Sequence, residues 1–217
     1  MRVDSEIQRD VQAELNWAPD VDSTDIAVKA KDGTVTLTGF VTSGFQKYRA
    51  ERAARRVKGV SAVANDIEVR LPGAAPTDPT IARAAATLIR SNLGPVAEGI
   101  HAMVHDGRVA LVGEVEWHYQ RELVETLMHR VEGVISVRNS IHVKPKTTAP
   151  ADIKARIEAA FRRLADVDAH KIAVEVAGSE IVLRGEVRSW AERDQAQATA
   201  WAAPGVTRVA NELTVRT

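Results

Sequence analysis

The first forty residues show two hydrophobic periods in succession. Ile7, Val11 and Leu15 recur every four positions, which predicts one amphipathic helix over Asp4 to Asn16. Apolar and polar residues then alternate, which predicts two half-buried strands. An Asp-Gly pair interrupts this alternation and is typical of a two-residue hairpin turn. The predicted order is therefore helix, strand, strand.

A second helix and a third strand complete the unit. The helix is predicted from about Phe45 to Val57 and the strand from Val60 to Val69. Between them lies a Gly-Val pair, where glycine permits the left-handed backbone that closes many helices. We expect the helix to stop at this glycine.

The whole pattern occurs three times, at offsets of 74 and 72 residues. The corresponding second helices are predicted over about His118 to Val131 and Trp190 to Ala203. The third copy has Gly178-Ser179 in place of Asp-Gly, so its hairpin is expected to use a different turn. The residues that recur at fixed positions are Gly39, Gly113 and Gly185, then Gly59, Gly133 and Gly205, then Asn65, Asn139 and Asn211.

These elements predict an α+β fold built from three tandem αββαβ modules. Each module is expected to be a three-stranded sheet with two helices on one face, and its last strand must pair across a crossover. Short Pro-rich linkers place the modules at residues 1–71, 77–145 and 150–217.

Structural roles are the main expectation for the recurring glycines and asparagines. Gly39 and its counterparts are expected to permit a tight strand-to-helix bend, the alternative being a close backbone approach to a ligand. Asparagine is depleted in strands, so Asn65 and its counterparts are expected to bond nearby backbone at a bulge.

Composition narrows the function. Lys plus Arg and Asp plus Glu number 29 each, so the neutral chain disfavours nucleic acid binding by counterion release. The absence of cysteine excludes a disulfide framework, a zinc-thiolate site and a cysteine nucleophile. No stretch is long and apolar enough for a transmembrane helix. The charged N-terminal segment lacks a signal-peptide pattern, which predicts a cytoplasmic location; a removed signal would mean a periplasmic one.

Chemistry-bearing motifs are sparse. His101, Met103 and His105 share the outward face of one predicted strand and could ligate a soft metal, but solvated side chains are the preferred interpretation because no third ligand accompanies them. Phosphate-binding loops, nucleophile elbows and zinc-protease motifs are absent from the sequence. No catalytic residue, metal or cofactor is predicted, and the protein is expected not to be an enzyme.

The combined spacing resembles the BON domain, the "bacterial OsmY and nodulation" family. In the first copy it reads Gly33-x-Val35-x-Leu37-x-Gly39-x-Val41, followed later by Gly59-Val60-x-x-Val63-x-Asn65-x-Ile67-x-Val69. The resemblance covers nearly the whole chain as three copies. It implies the αββαβ fold, a bacterial source, and a role in binding phospholipid surfaces or in osmotic and envelope stress. The alternative that it implies is a cytoplasmic, potassium-type ion-responsive module; a scaffold for protein partners is also open.

A basic run supplies the candidate lipid-binding site. The second helix of the first copy is the clearest local excess of positive charge, and such a helix can lie on anionic headgroups. Tryptophans near the loop before the second helix could anchor at a membrane interface, although packing between modules explains them equally well. The candidate residues are Lys47, Arg49, Arg52, Arg55, Arg56, Lys58, Trp117 and Trp190.

Overall fold

A computed structural model describes residues 3–146, 151–164 and 168–215. The first module comprises α1 (Asp4–Trp17), β1 (Ile26–Lys31), β2 (Thr34–Val41), α2 (Gly44–Arg56) and β3 (Ala62–Val69). The second comprises α3 (Asp78–Leu93), β4 (Ile100–His105), β5 (Arg108–Val115), α4 (His118–His129) and β6 (Ser136–Val143). The third comprises α5 (Ile153–Arg163), β7 (Ile172–Ala177), β8 (Glu180–Val187), α6 (Trp190–Trp201) and β9 (Arg208–Val215). The predicted α+β fold of three repeated modules is confirmed.

Each module has its own sheet and its own core. In the first, β1 pairs antiparallel with β2, and β3 pairs parallel with β2 after the α2 crossover. The other two sheets repeat this order. Alternate strand residues such as Val35 and Leu37 are buried under the two helices, where Val11 and Leu15 meet them. The opposite face of the sheet remains largely exposed, as the period of two predicts.

The hairpin turns follow the local sequence. Asp32 and Gly33 both have positive φ, as do Asp106 and Gly107, which is the pattern of a type I′ turn. In the third module only Gly178 does so, which matches a type II′ turn with glycine first. The expected difference between the third hairpin and the other two is therefore confirmed.

In the first two modules, an aspartate at the start of the module's first helix stabilises the hairpin turn. The carboxylate of Asp4 accepts hydrogen bonds from the amides of Asp32 and Gly33, at 2.9 and 3.2 Å. Asp78 accepts from Asp106 and Gly107 in the same way. These bonds hold the pKa of Asp78 below its ordinary value. Helix and hairpin are thus tied together at the end of the sheet.

The recurring strand glycines have a structural role, but at a different place from the one predicted. Gly113 lies within β5 with φ of 136°, and a Cβ there would lie 2.0 Å from the carbonyl oxygen of Gly99. Gly39 and Gly185 repeat this geometry. The bend towards the second helix comes after the strand ends, so these glycines permit the close approach of neighbouring backbone within the sheet.

The second helices end earlier than predicted. They stop at Arg56, His129 and Trp201, three or four residues before the Gly-Val pairs. Gly59 and its counterparts do have positive φ, but in the turn that leads to the last strand rather than at the helix end. Short 3₁₀ segments, Gly94–Gly99 and Ala169–Lys171, also precede the second and third sheets.

Candidate functional site

The second helix of each module makes contacts through two faces, one against its own sheet and one against the other modules. In α2 the face towards its own sheet consists of alanines, Ala50, Ala53 and Ala54, all buried. Small side chains let the helix lie close to the strands, as they do on α6 through Ala196 and Ala200. The opposite face carries aromatic, histidine and charged residues and meets the other modules.

Contacts between these outer faces run in a closed cycle. Tyr48 of the first module stacks on His129 of the second, with ring centroids 4.1 Å apart. His118 of the second stacks on Trp201 of the third at the same separation. The third module returns to the first, where the Arg55 guanidinium lies 5.5 Å from the Trp190 ring centroid. Each module therefore contacts both of the others.

The cycle uses equivalent positions of the repeat. Arg55, His129 and Trp201 occupy one position, separated by the 74- and 72-residue offsets. Their partners come from the first two turns of the neighbouring second helix. Where His118 and Trp190 stand in two modules, the first has Gly44, and a Cβ there would lie 2.4 Å from the carbonyl oxygen of Val134 in the second module. Backbone contact replaces ring contact at that junction.

The three second helices enclose a depression of about 720 Å³, which we call the central depression. Helix α2 contributes the basic part of its wall, α4 contributes acidic groups and histidines, and α6 contributes tryptophans and one aspartate. Its main lining side chains are Lys47, Tyr48, Glu51, Arg52, Arg55, Arg56, His118, Glu122, Glu125, His129, Trp190, Asp194 and Trp201.

Charges of both signs meet in this depression. Arg52 donates a 2.8 Å hydrogen bond to the Tyr48 hydroxyl, which raises the pKa of the guanidinium. A hydrogen bond from His118 lowers the pKa of Glu122. Burial raises the pKa of Asp194, although nearby guanidinium groups oppose that effect. The site is amphoteric and does not form a purely cationic pocket.

Several polar atoms around the depression lack partners. Six buried side-chain nitrogen or oxygen atoms in the described residues make no hydrogen bond. Four belong to side chains that line the depression: His118 and His129 through Nδ1, Trp190 and Trp201 through Nε1. Buried polar groups are nearly always bonded in native proteins. The wall of this site thus keeps unused hydrogen-bonding capacity.

The recurring asparagines fix the second helix against the last strand behind this site. Asn139 donates to the carbonyl oxygen of Arg121 and to the Glu125 carboxylate, both at 3.0 Å, and accepts from the amide of Ile141. Asn65 makes the same three kinds of bond. Asn211 does so too, with the amide oxygen of Gln197 in place of a carboxylate. The predicted bond to backbone is present, but the strand register is continuous, so no bulge is involved.

Five of the eight residues predicted to bind lipid line the central depression, namely Lys47, Arg52, Arg55, Arg56 and Trp190. Several of these side chains already form hydrogen bonds or ion pairs within the chain. Lys47 donates to the carbonyl oxygen of Ile67 at 2.6 Å, Arg55 pairs with Glu51 at 2.9 Å and Arg56 pairs with Glu14 at 2.8 Å.

The other three predicted residues lie outside the depression. Arg49 forms an ion pair with Asp20 at 3.1 Å. Lys58 is exposed, beyond the end of α2, and Trp117 is half-buried at the start of α4. The basic run therefore divides between the depression and the periphery, and its lipid-binding role stays a prediction.

Aromatic side chains in the depression were only partly foreseen. Packing between modules accounts for Trp190, one of the two explanations that the sequence offered for it, whereas Trp201 was not singled out. Tyr48, His118 and His129 were not singled out for such a role. A signal was present in two of the three helices, because the outer stripes of α4 and α6 carry rings eleven residues apart, about three turns: His118 and His129 in one, Trp190 and Trp201 in the other.

The histidine-bearing strand faces outward as predicted. His101, Met103 and His105 are exposed on β4, while Ile100 is buried. Within the described residues, no group of three or more His, Asp or Glu side chains could hold a metal ion. In the same part of the chain, no helix combines the length and apolar character needed to cross a bilayer.

A known bacterial protein resembles the chain in sequence. Osmotically-inducible protein Y of Escherichia coli (strain K12) is 33% identical over 147 residues, which is 65% of this chain and 73% of that protein. This relative is periplasmic, so the cytoplasmic location predicted from the sequence is wrong.

Solved structures give a weaker likeness. The C-terminal domain of CdsD, the structural protein of the type III secretion system of Chlamydia trachomatis, matches with 13% identity, full coverage of both chains and a TM-score of 0.27. A second CdsD structure has 14% identity, covers 97% of this chain and 92% of its own, and has a TM-score of 0.26.

The family model named BON domain matches three times, at residues 3–70, 77–145 and 150–217. These three matches cover almost the entire chain, in agreement with the three sheets and the recurring glycine and asparagine positions. This chain therefore belongs to the BON domain family.

Proposed function

We propose that this chain is a non-catalytic binding protein of osmotic or envelope stress that binds anionic phospholipid surfaces through its central depression. The stress role is supported by its relative, whose name is osmotically-inducible protein Y. The non-catalytic role is supported by the BON family, which is non-enzymatic in general. The observation that carries the site is the convergence of Arg52, Arg55, Arg56 and Trp190 in one depression.

Arg52 is the central phosphate-binding group in this proposal. Its guanidinium has five N–H donors in a planar fork suited to phosphate oxygens. Only the bond to the Tyr48 hydroxyl occupies them in the described contacts, and that bond orients the fork. Arg55 and Arg56 would assist by exchanging a carboxylate partner for a phosphate, and Trp190 provides the amphipathic ring that suits a membrane interface.

Vesicle co-sedimentation tests the proposal. The wild-type protein is expected to sediment with phosphatidylcholine vesicles containing phosphatidylglycerol more strongly than with phosphatidylcholine alone. R52A combined with R56A should abolish this difference. The matched control is K29A with K31A, which removes two cations from the outer face of the first sheet and should leave binding unchanged. Equal, negligible sedimentation of the wild type with both vesicles would overturn the proposal.

A second pair of variants locates the binding surface. R49A with K58A removes the predicted cations that lie outside the depression. Retained binding in this variant supports the depression as the site, whereas a loss as large as that of R52A with R56A overturns it. The potassium-responsive and protein-scaffold alternatives stay predictions from the sequence.

A further inference from the structure

The central depression contains opposed charges that do not pair directly. Glu122 and Asp194 occupy equivalent positions in the second and third modules, and both influence the pKa of Arg52. No ion pair within 4.0 Å joins Arg52 to either carboxylate. All three side chains line the central depression, so one group bound there can contact charges of both signs.

Each of these charged groups retains hydrogen-bonding capacity. Arg52 has one described acceptor, the Tyr48 hydroxyl. Glu122 has one described donor, His118 Nε2 at 3.3 Å. The Asp194 carboxylate makes no hydrogen bond within the part of the chain that the structure describes, while burial raises its pKa. A cationic donor brought to this carboxylate would make a charge-assisted hydrogen bond that the described contacts do not supply.

Resting on the proposed function, we propose that the central depression recognises a phosphate that carries a primary ammonium group a few bonds away, as in the ethanolamine headgroup. Arg52 binds the phosphate, and Asp194 with Glu122 accepts from the ammonium. A primary ammonium supplies three N–H donors for the two carboxylates, which a quaternary ammonium lacks.

The charge balance of the wall offers this ligand contacts that a plain anion does not make. Arg52, Arg55, Arg56 and Lys47 are matched in number by Glu51, Glu122, Glu125 and Asp194. A plain anion uses only the basic groups of the wall, whereas a zwitterion places an opposite charge against each sign. Complementarity of this kind sets specificity more than overall affinity.

Titration calorimetry with soluble probes tests the chemistry. Phosphoethanolamine is expected to bind more tightly than phosphocholine or inorganic phosphate. D194N and E122Q are nearly isosteric and should each weaken phosphoethanolamine binding about tenfold. D194N should do so without lowering the melting temperature, because the Asp194 carboxylate makes no hydrogen bond in the described contacts. The matched control is E186Q, on the outer face of the third sheet. Equal affinity for phosphoethanolamine and phosphocholine would refute the inference.

Co-sedimentation with vesicles distinguishes a failure of this inference from a failure of the proposed function. If both hold, phosphatidylethanolamine in phosphatidylcholine vesicles increases sedimentation, and D194N removes that increase without weakening the binding to phosphatidylglycerol. Binding to phosphatidylglycerol without any ethanolamine effect overturns the inference alone. Binding of soluble phosphoethanolamine without sedimentation on any vesicle retains the inference and overturns the membrane role.

Discussion

The Arg55 guanidinium of the first module lies 5.5 Å from the centre of the Trp190 ring in the third. These residues are 135 positions apart in the sequence. Their contact joins the ends of the repeat, so that three modules in a linear chain surround one depression. A site of this kind requires all three copies, because each contributes one wall.

Replacing Trp190 with alanine should loosen this closure. The change removes the ring that lies under Arg55 and also under Arg193, at 5.5 and 5.0 Å. We expect a loss of about 2 kcal/mol in the free energy of unfolding and a larger radius of gyration in small-angle scattering. Trp17→Ala is the control, since that side chain is 83% exposed. Equal effects of the two substitutions would contradict the assigned closure.

Acid should weaken the junction between the first and second modules. Burial lowers the pKa of His129 below its ordinary value of 6.5, although Glu125 and Glu51 oppose the shift. The unfolded chain therefore binds the proton more readily than the folded one, so this contribution to stability is complete above pH 6.5 and is lost as pH falls below it. Melting temperature should accordingly fall on acidification.

His129→Phe separates this effect from general acid denaturation. Phenylalanine keeps a ring to stack on Tyr48 but cannot be protonated. The variant should lose less stability than the wild type between neutral and mildly acidic pH, as measured by thermal unfolding. His105→Phe is the control, because His105 is exposed. Identical pH profiles for His129→Phe and the wild type would show that the stacked pair does not titrate in this way.

Removing Asn139 should detach the second helix from the last strand of its module. Alanine leaves the amide of Ile141, the Glu125 carboxylate and the Arg121 carbonyl without their asparagine partner. Because these groups are partly buried, we expect a cost of about 1 to 3 kcal/mol in chemical denaturation. Asn92→Ala on the exposed side of α3 serves as the control. A loss no greater than that of the control would refute the clamp.

Gly113→Ala should be among the most damaging single substitutions. Its Cβ would lie 2.0 Å from the carbonyl oxygen of Gly99, at a φ of 136° that L side chains rarely adopt. We expect a loss of more than about 3 kcal/mol. Gly73→Ala has a positive φ but no atom within 4 Å and should cost only about 1 kcal/mol. Similar denaturation midpoints for the two variants would exclude the steric explanation.

Within one module, hydrophobic spacing together with turn residues was sufficient to predict the fold. Ile7, Val11 and Leu15 form one stripe of α1 and are all buried, because a helix repeats every 3.6 residues and must cover the sheet. The alternation of apolar and polar residues predicted the strands. The position of Gly178 predicted a different third hairpin, and this glycine does have a positive φ. The helix ends were misplaced, since a positive-φ glycine closes a turn as readily as it closes a helix.

The sequence by itself determined three copies of an αββαβ unit and their local turns, because these depend on periodicity and backbone freedom over short distances. Only the tertiary structure decided that Tyr48 meets His129, that His118 meets Trp201, and that the third module returns to the first. Contacts between modules depend on linker direction and on the fit of whole helix faces. Neither property produces a periodic pattern of residues that could be recognised in the sequence.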